Sequence, residues 1–494
     1  MKALSAPDSL VLIAVIMPFI GALAIPLFGK HPNRREAVTL VTAVALMAAV
    51  IGLVAPVLGG ARPEVPGIEI APGLELALKV EPLGMLFALV ASSLWIVNAI
   101  YSIGYMRANN EPRQTSFYVC FAIALGSTIG VAFAKNLFTL FLFYEALTLS
   151  TYPLVAHKQT PEAMRAGRIY LALLLGTSMV LFLPAIIATW VLAGTLDFTP
   201  GGVLGGKASG AVIGVLLALY VFGIGKAALM PLHFWLPAAM VAPTPVSALL
   251  HAVAVVKAGV FSVLKVVLYI FGLDTLSASG ANVWLIYVAS ACIIGASLIA
   301  LSKDNLKARL AYSTVSQLAY VVLGAALATA SGAAAGAVQI ATHAAGKITL
   351  FLCAGAIYVA TKKTEVSDLD GLGRKMPITF AAFLLGSLSI IGLPPFGGVW
   401  TKWYLGLAAV DSGHLFVIGV LAVSSLLNVA YLLSIVGRAF FLPARGPDGD
   451  RAVSIKEAPL ACVVPLSVTA LLCLLLFFRI DDVYALISRA ISSN

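Results

Sequence analysis

The sequence predicts an all-α polytopic membrane protein. Its 494 residues are 61% hydrophobic and 11% charged, and the mean hydropathy is +1.02. Long apolar runs alternate with short loops, and a helical crossing needs about 20 apolar residues. A transmembrane barrel would show strands of about ten residues with alternating polarity instead. We therefore expect residues 1–494 to form a single membrane domain with no soluble domain.

The apolar runs predict about fourteen transmembrane helices. They lie near residues 8–28, 36–58, 82–104, 115–134, 136–156, 168–194, 211–239, 245–271, 282–302, 307–329, 333–360, 377–409, 413–440 and 457–478. The first run has one preceding lysine and no clear cleavage site, so we expect an uncleaved span. Residues 59–80 alternate short apolar groups with glycine and proline, which predicts either an outer hairpin or an ordered linker.

The net charge of +10 is unevenly distributed between alternate loops. With the N-terminus placed outside, the inner loops hold 19 lysines and arginines and the outer segments hold 7. This bias is the positive-inside pattern, which places both termini outside the cytoplasm. The basic residues therefore indicate lipid headgroups as their counter-charge, and nucleic acid is not an expected partner.

Ionisable side chains interrupt several of the apolar runs. Lys226, Lys257, Lys347 and Lys402 lie deep within them, as does Glu145 in FLFYEALTLS. A charge at bilayer depth costs several kcal/mol, roughly 3 or more, so such residues indicate function. Four amines and a carboxylate predict a path for protons or cations.

Two of the long runs contain prolines that should break a helix. The seventh run carries Pro231 and Pro237, and the twelfth carries Pro394 and Pro395. Such breaks persist in a membrane only where protein or a wet cavity surrounds them. The two runs are five spans apart, an odd number, so they should cross in opposite directions. Paired broken helices of this kind are typical of transporters with inverted halves, whereas two unrelated kinks are the alternative.

Glu145 and Lys226 are the first pair expected to carry chemistry. Burial disfavours the charged form of each residue, and a nearby opposite charge favours that form. A change in their separation would therefore switch proton release. The alternative is a static ion pair that only holds two helices together.

Three further residues extend the predicted path. His343 and Lys347 are four residues apart and share a helix face, and histidine titrates near neutral pH. A plain interhelical contact is the alternative for His343. Lys402 is the expected last residue, although a lysine near a helix end can also extend to the membrane surface.

The remaining polar residues are expected to play accessory parts. His233, His251 and Lys307 are candidates for access to the path, and for each a packing or topogenic role is the alternative. Lys265, near the end of its span, is expected to extend to the membrane surface.

No cofactor or metal site is predicted. The five cysteines, Cys120, Cys292, Cys353, Cys462 and Cys473, lie in or near apolar runs without a CxxC motif. They are expected to pack as small hydrophobic side chains. The chain offers no nucleotide fingerprint, so a catalytic or redox centre of its own is not expected.

The sequence resembles a known family at these same residues. The motifs are FYEALTLSTYPLV, GKAALMPLHFWLPAAMVAPTPVSALLHAVAVVKAGVF, DNLKARLAYSTVSQLAYV, THAAGKITLFLCAGAIY and GLGRKMPITFAAFLLGSLSIIGLPPFGGVWTKWYL. They are similar to the antiporter-like subunits of respiratory complex I, membrane-bound hydrogenases and Mrp-type cation/proton antiporters.

The resemblance implies fourteen helices with two inverted five-helix repeats, helices 4–8 and 9–13, and broken helices 7 and 12. The N-terminal helices 1–3 would occupy residues 1–110, and the two inverted repeats would occupy 115–271 and 282–440. The last helix and the tail would occupy 457–494. It also implies a proton path, listed residue by residue: Glu145, Lys226, Lys257, His343, Lys347 and Lys402.

Among family members the sequence is most similar to the MrpD component of Mrp-type Na⁺/H⁺ antiporters, because the long lateral helix of the largest complex I subunit is absent. The resemblance implies other integral membrane subunits as partners, with Na⁺ or K⁺ exchanged for protons across a bacterial or archaeal cell membrane. A redox-driven complex I-like or hydrogenase-like assembly is the first alternative. A stand-alone transporter of an organic solute and a scaffold subunit with vestigial charges are the others.

Overall fold

The computed structural model describes residues 5–443 and 455–491. The helices are α1 (Ala6–Phe28), α2 (Pro32–Leu58), α3 (Pro82–Ala108), α4 (Gln114–Ala132), α5 (Leu137–Val155), α6 (Pro161–Ala193), α7 (Gly210–Gly223), α8 (Thr244–Phe271), α9 (Val283–Ser302), α10 (Leu306–Ala326), α11 (Ala330–Thr361), α12 (Pro377–Ile391), α13 (Gly398–Asp411), α14 (Phe416–Phe441), α15 (Leu460–Phe478) and α16 (Ile480–Ile491). The shorter helices between them, of which Leu273–Ser279 is the longest, are named by their residues. The fold is a helical membrane bundle, as predicted.

Eleven helices of the described ranges are long and apolar enough to cross a membrane. They are α1 to α6, α8, α9, α11, α14 and α15. Further crossings would require α10, whose first turn is charged, and the two broken segments. The first broken segment begins with α7, and the second consists of α12 and α13. The count of fourteen therefore remains a prediction.

Helix α8 lies at the centre of the bundle. Every residue of its most apolar 18-residue stretch is buried. In α1 and in α2, 39% of the corresponding stretch is buried. A helix that is apolar on all sides is buried, so this pattern places α8 inside the bundle. The π-helical segment Leu249–Val253 and the irregular Ala254 (φ −121°, ψ −70°) interrupt the hydrogen-bond ladder of α8 between His251 and Lys257.

A β-hairpin follows α2. Strand β1 (Glu64–Ala71) pairs antiparallel with β2 (Leu74–Lys79), and Pro72 and Gly73 form the turn. Gly73 has φ +78°, a conformation that glycine adopts without strain. The hairpin alternative for residues 59–80 is therefore confirmed over the Glu64–Lys79 part.

The same local arrangement occurs twice along the chain. Asn136 caps α5 by accepting from the Thr139 N–H at 2.8 Å, and it forms an isolated bridge with Asp197, just after α6. Asn305 caps α10 by accepting from the Ala308 N–H at 3.1 Å, and it bridges Glu365, just after α11. The two asparagines therefore occupy matching positions, as the predicted repeats would require.

The first helix break differs in detail from its prediction. Helix α7 ends at Gly223, and Lys226 lies inside the break, in the 3₁₀ turn Gly225–Ala227. The predicted break at Pro231 therefore starts several residues earlier. Pro237 lies within the short helix Trp235–Ala238 and interrupts nothing, because proline fits the first turn of a helix. The Trp235 Nε1–H donates to the Gly225 oxygen at 3.0 Å and fixes the turn.

The second break occurs where it was predicted. Helix α12 ends at Ile391, Gly392 is left-handed with φ +80°, and α13 begins at Gly398. Pro394 and Pro395 lie between the two helices. A Cβ at Gly398 would stand 1.9 Å from the Ser389 oxygen, so the close approach of the two helix ends requires glycine there.

Candidate functional site

The Lys226 side chain is fully buried against α5. Its Nζ donates to the Tyr144 carbonyl oxygen at 2.8 Å and to the Thr148 Oγ1 at 2.5 Å. The same ammonium lies 3.1 Å from the centroid of the Tyr144 ring, a cation–π contact. Neutral acceptors and an aromatic face therefore hold the buried amine.

Glu145 is next to Tyr144 and is 9% exposed. Neither of its carboxylate oxygens has a hydrogen-bond partner among the described residues. The pair Glu145–Lys226 is also absent from the ion pairs within 4.0 Å in that part of the chain. The two residues lie on touching elements, and their charged groups are more than 4.0 Å apart but still interact electrostatically.

Lys257 and His343 form the most direct link between two predicted residues. The Lys257 Nζ and the His343 Nδ1 are 2.5 Å apart across the contact between α8 and α11. Lys257 is 0% exposed and His343 is 1% exposed. Two groups that can both carry a proton share one hydrogen bond here, so a proton can pass between them without a water molecule.

Lys347 shares the face of α11 with His343, as predicted, but it binds a different helix. Its Nζ donates to the Ser313 Oγ at 2.6 Å and to the Leu310 oxygen at 3.3 Å, both on α10. Helix α11 thus holds one proton-carrying residue against α8 and another against α10.

Lys402 folds back over the second break. Its Nζ donates to the Ile391 carbonyl oxygen at the end of α12 and to the Ser425 Oγ of α14 at 2.5 Å. The side chain also lies against Gly392, since a Cβ there would be 2.9 Å from the Lys402 Cδ. These contacts hold the half-buried Lys402 side chain against the protein and disfavour the alternative in which it extends to the membrane surface.

A small polar cavity separates His343 from Lys402. It measures about 10 Å³, and its polar lining includes Gln317, Gln339 and Thr401 as well as those two residues. A cavity of about this size holds roughly one water molecule. The Gln339 Nε2 donates to the Gln317 Oε1 at 2.9 Å, so the amides are already ordered. One water here would join the histidine to the last lysine.

The accessory histidines are buried and short of partners. His251 is 0% exposed, neither ring nitrogen has a hydrogen-bond partner among the described residues, and its ring lies 4.5 Å from the Phe351 ring. His233 is 4% exposed and contacts the rings of Phe234 and Tyr312. Lys307 donates to the Ala242 oxygen at 2.6 Å. Of the three, His251 has the strongest need for a partner, because an unpaired buried polar group is costly.

The expectation that Lys265 extends to the membrane surface is wrong. Its side chain is 1% exposed, its Nζ donates to the Ala134 oxygen at 2.6 Å, and it lies 3.6 Å from the Glu81 carboxylate. Glu81, the residue that precedes α3, supplies a buried counter-charge, so the amine has no reason to reach the headgroups.

Sequence reasoning missed the neutral acceptors of these amines. Thr148, Ser313 and Ser425 each accept a hydrogen bond from a buried lysine. Their signal in the sequence is a hydroxyl residue in an apolar run, with another serine or threonine close by. That signal is weak, because many such hydroxyls only bond to their own helix, as the Ser262 Oγ does to the Ala258 oxygen.

The cysteines are free thiols, buried except for the half-buried Cys120. Within the described ranges, no group of three or more histidine, cysteine, aspartate or glutamate residues is arranged to hold a metal ion.

A helical bundle with broken helices and an internal row of ionisable residues defines the class of multi-pass membrane transport proteins. Residues 134–428 match the family model described as NADH:quinone oxidoreductase/Mrp antiporter, TM. The chain belongs to this family, as the sequence motifs predicted.

Curated relatives include several subunits of larger assemblies. NADH-quinone oxidoreductase subunit N of Desulforudis audaxviator is 32% identical over 80% of each chain. Hydrogenase-4 component B of Escherichia coli is 30% identical over 81% of this chain and 62% of its own length. NADH-quinone oxidoreductase subunit L of Mycobacterium tuberculosis is 33% identical over 75% of this chain. This chain spans only 56% of that longer subunit.

Two solved structures share the fold over nearly the whole chain. A chain of the membrane-bound sulfane sulfur reductase, an archaeal respiratory membrane complex, has a TM-score of 0.85 at 24% identity and covers 98% of this chain. A chain of the Mrp complex from Dietzia sp. DQ12-45-1b also has a TM-score of 0.85, at 21% identity and 99% coverage. At these identities the comparison shows the shared fold.

Proposed function

We propose that this chain is a proton-translocating subunit of a multi-subunit membrane complex. The observation that carries the proposal is the 2.5 Å contact between the Lys257 Nζ and the His343 Nδ1 inside the bundle. Buried amines without carboxylate partners are costly, and they persist where they move protons. The proton path consists of Glu145, Lys226, Lys257, His343, Lys347 and Lys402.

The proton passes from the first break to the second. Lys226 in the first break accepts or releases a proton as Glu145 approaches or withdraws. Lys257 hands the proton to His343 directly, and the water-sized cavity carries it on to Lys402 at the second break. Lys347, held by Ser313, supplies a second amine beside the histidine and tunes its charge. His233, His251 and Lys307 provide access from the side.

The driving reaction has two candidates. Cation/proton antiport of the Mrp type, with Na⁺ or K⁺ as the second ion, follows from the sequence motifs. A redox-driven complex is the second candidate, and the match to a subunit N over 80% of both chains favours it. Identification of the subunits that copurify with this chain would distinguish the two.

The proposed location is a bacterial or archaeal cell membrane with both termini on the non-cytoplasmic side. The excess of lysine and arginine in alternate loops supports this orientation. A protease-protection assay on tags fused to the termini would test it.

The central test is Lys226→Ala in the intact complex, assayed for proton movement in membrane vesicles. We expect coupled transport to be lost while the subunits still copurify. The control is Lys207→Ala, which removes an exposed outer lysine. Transport at the wild-type rate in Lys226→Ala would rule out the proposed role of this residue.

A further inference from the structure

A cavity of about 260 Å³ lies where α3, α8, α10 and α11 meet on the predicted inner side. It is separate from the small cavity at His343. Its polar lining consists of Tyr105, Lys158, Thr244, Asn305, Lys307, Tyr358, Lys363 and Thr364. Nothing in the proton path described above accounts for a space of this size.

The charge around this cavity has one sign. Three lysines line it, and no aspartate or glutamate is among the described residues that do. The Lys307 Nζ uses one of its three protons on the Ala242 oxygen, at 2.6 Å. Glu111 interacts electrostatically with Lys158 and Lys307, but it does not line the cavity, and burial raises its pKa. The lysines therefore lack a matching anion in the cavity itself.

Two helix starts add to the positive potential. Thr244 is the first residue of α8, and Leu306 is the first residue of α10. Both line the cavity together with Asn305, which caps α10. The partial positive charge of a helix N-terminus attracts anions, phosphate in particular. Two helix starts and three lysines thus border one space, although the Lys363 Nζ also donates to the Asp368 oxygen at 2.7 Å.

A buried hydroxyl completes the lining. Tyr105 is 2% exposed, and its hydroxyl oxygen accepts a long bond of 3.5 Å from the Thr244 Oγ1. The Tyr105 hydroxyl proton has no acceptor among the described residues, so it is free to donate to a ligand. A neutral donor beside several cations is a common feature of oxyanion sites.

We propose that this cavity binds a phosphate-bearing anion. Its volume accommodates a phosphate group with several waters, because a water occupies about 30 Å³ in the liquid. Lys158, Lys307 and Lys363 would neutralise the charge, and the Tyr105 hydroxyl would donate to one oxygen. Inorganic phosphate from the cytoplasm and the headgroup of an anionic phospholipid offer this same chemistry. The proposal rests on the lining of this cavity, and it shares only Lys307 with the accessory residues of the proton path.

The first experiment measures binding of inorganic phosphate to the complex in phosphatidylcholine nanodiscs, with chloride at the same ionic strength as the reference. The double variant Lys158→Ala/Lys363→Ala should weaken phosphate binding at least about tenfold, or about 1.4 kcal/mol. The double variant Arg165→Ala/Arg168→Ala is the control, since it removes two exposed charges from the same predicted side. It should change the affinity by less than about twofold.

The second arm tests the lipid source. Native mass spectrometry on phosphatidylglycerol nanodiscs should show bound lipid that the Lys158→Ala/Lys363→Ala variant loses and the arginine control retains. Phosphate binding alone identifies a soluble anion, and lipid retention alone identifies a headgroup. Both results support the site.

A labelling experiment remains informative if the double variant fails to fold. Acetylation of lysines in the wild-type complex should slow at least about threefold at Lys158 and Lys363 when the anion is present, while Lys303, outside the cavity, reacts at its usual rate. The proposal is overturned if neither arm shows binding, or if Lys158 and Lys363 react equally fast with and without both anions.

Discussion

The Lys257 ammonium and the His343 imidazole are 2.5 Å apart in a fully buried contact between α8 and α11. The two residues are 86 positions apart in the chain. Among the described residues, no carboxylate is in hydrogen-bond contact with either of them. This contact is the reason that we propose proton exchange between Lys257 and His343, because an ion pair with a carboxylate would hold its charge in place.

Removing the imidazole should interrupt the path at this point. In His343→Gln we expect proton transport to fall by roughly a hundredfold, because a positioned proton-transfer group commonly contributes that much. The measurement is proton uptake by vesicles containing the complex. His31→Gln is the control, since His31 is exposed at the start of α2. Equal transport in His343→Gln and the control would contradict a relay at this position.

A methyl group at Gly259 should displace the Lys226 turn. A Cβ there would lie 2.3 Å from the Ala227 nitrogen and from the Lys226 carbonyl carbon, so α8 and the first break would have to separate. We expect Gly259→Ala to reduce transport by at least about tenfold although no charge changes, because a misplaced group is ineffective.

Gly419→Ala is the matched control for this variant. Gly419 lies in α14, and a Cβ there would have no neighbour within 4 Å. Normal transport in Gly259→Ala would show that the position of the Lys226 turn does not matter.

The buried pair Glu81–Lys265 should be needed for stability. Glu81→Ala leaves the Lys265 ammonium without its counter-charge, and breaking a buried pair costs about 3–5 kcal/mol. We expect a clear loss in the free energy of unfolding of the chain in detergent. The double variant Glu81→Leu/Lys265→Met should recover most of it, because it removes both charges.

The exposed pair Lys135–Glu64 provides the comparison. These side chains are 25% and 39% exposed, and surface pairs contribute about 0–1 kcal/mol. Glu64→Ala should therefore have little effect. A Glu81→Ala variant as stable as Glu64→Ala would show that the buried pair is dispensable.

We expect the buried His157, in the loop after α5, to lower the folding stability of the protein as the pH falls. Burial, and secondarily the charge of Arg113, lowers the pKa of His157 from 6.5 to about 4. Lys158 acts in the same direction, and Glu111 faces the ring at 4.0 Å. The unfolded chain therefore binds a proton below pH 6.5 that the folded chain does not bind until about pH 4. The contribution of the neutral His157 to folding stability is complete above pH 6.5. It is lost progressively as the pH falls to about 4.

The check is thermal unfolding at about pH 7.5 and about pH 5. His157→Gln should show a smaller loss of stability at the lower pH than the wild-type chain. An identical loss in both would mean that the imidazole titrates normally in the folded state.

The site could be predicted only in part from the sequence. Lysines in apolar runs stand out, so Lys226, Lys257, Lys347 and Lys402 were found without a structure. The partners of these lysines could not be found, because Thr148 and Ser313 are ordinary hydroxyl residues until another helix brings an amine against them. Lys265 was misassigned for the same reason, since its counter-charge Glu81 lies far away in the chain.

The sequence by itself determined that this chain is a helical membrane protein with broken helices and internal charges. Hydrophobic length, proline and charged residues act locally, and a linear pattern records them directly. Only the tertiary structure decided which charges meet, because contacts such as Lys257 with His343 depend on how α8 packs against α11. The packing also placed Glu145 beyond ion-pair distance of Lys226 and created the basic cavity beside Lys307. Spacing along a helix gives the face of a residue, whereas the neighbour on that face is set by the energy of packing the whole bundle.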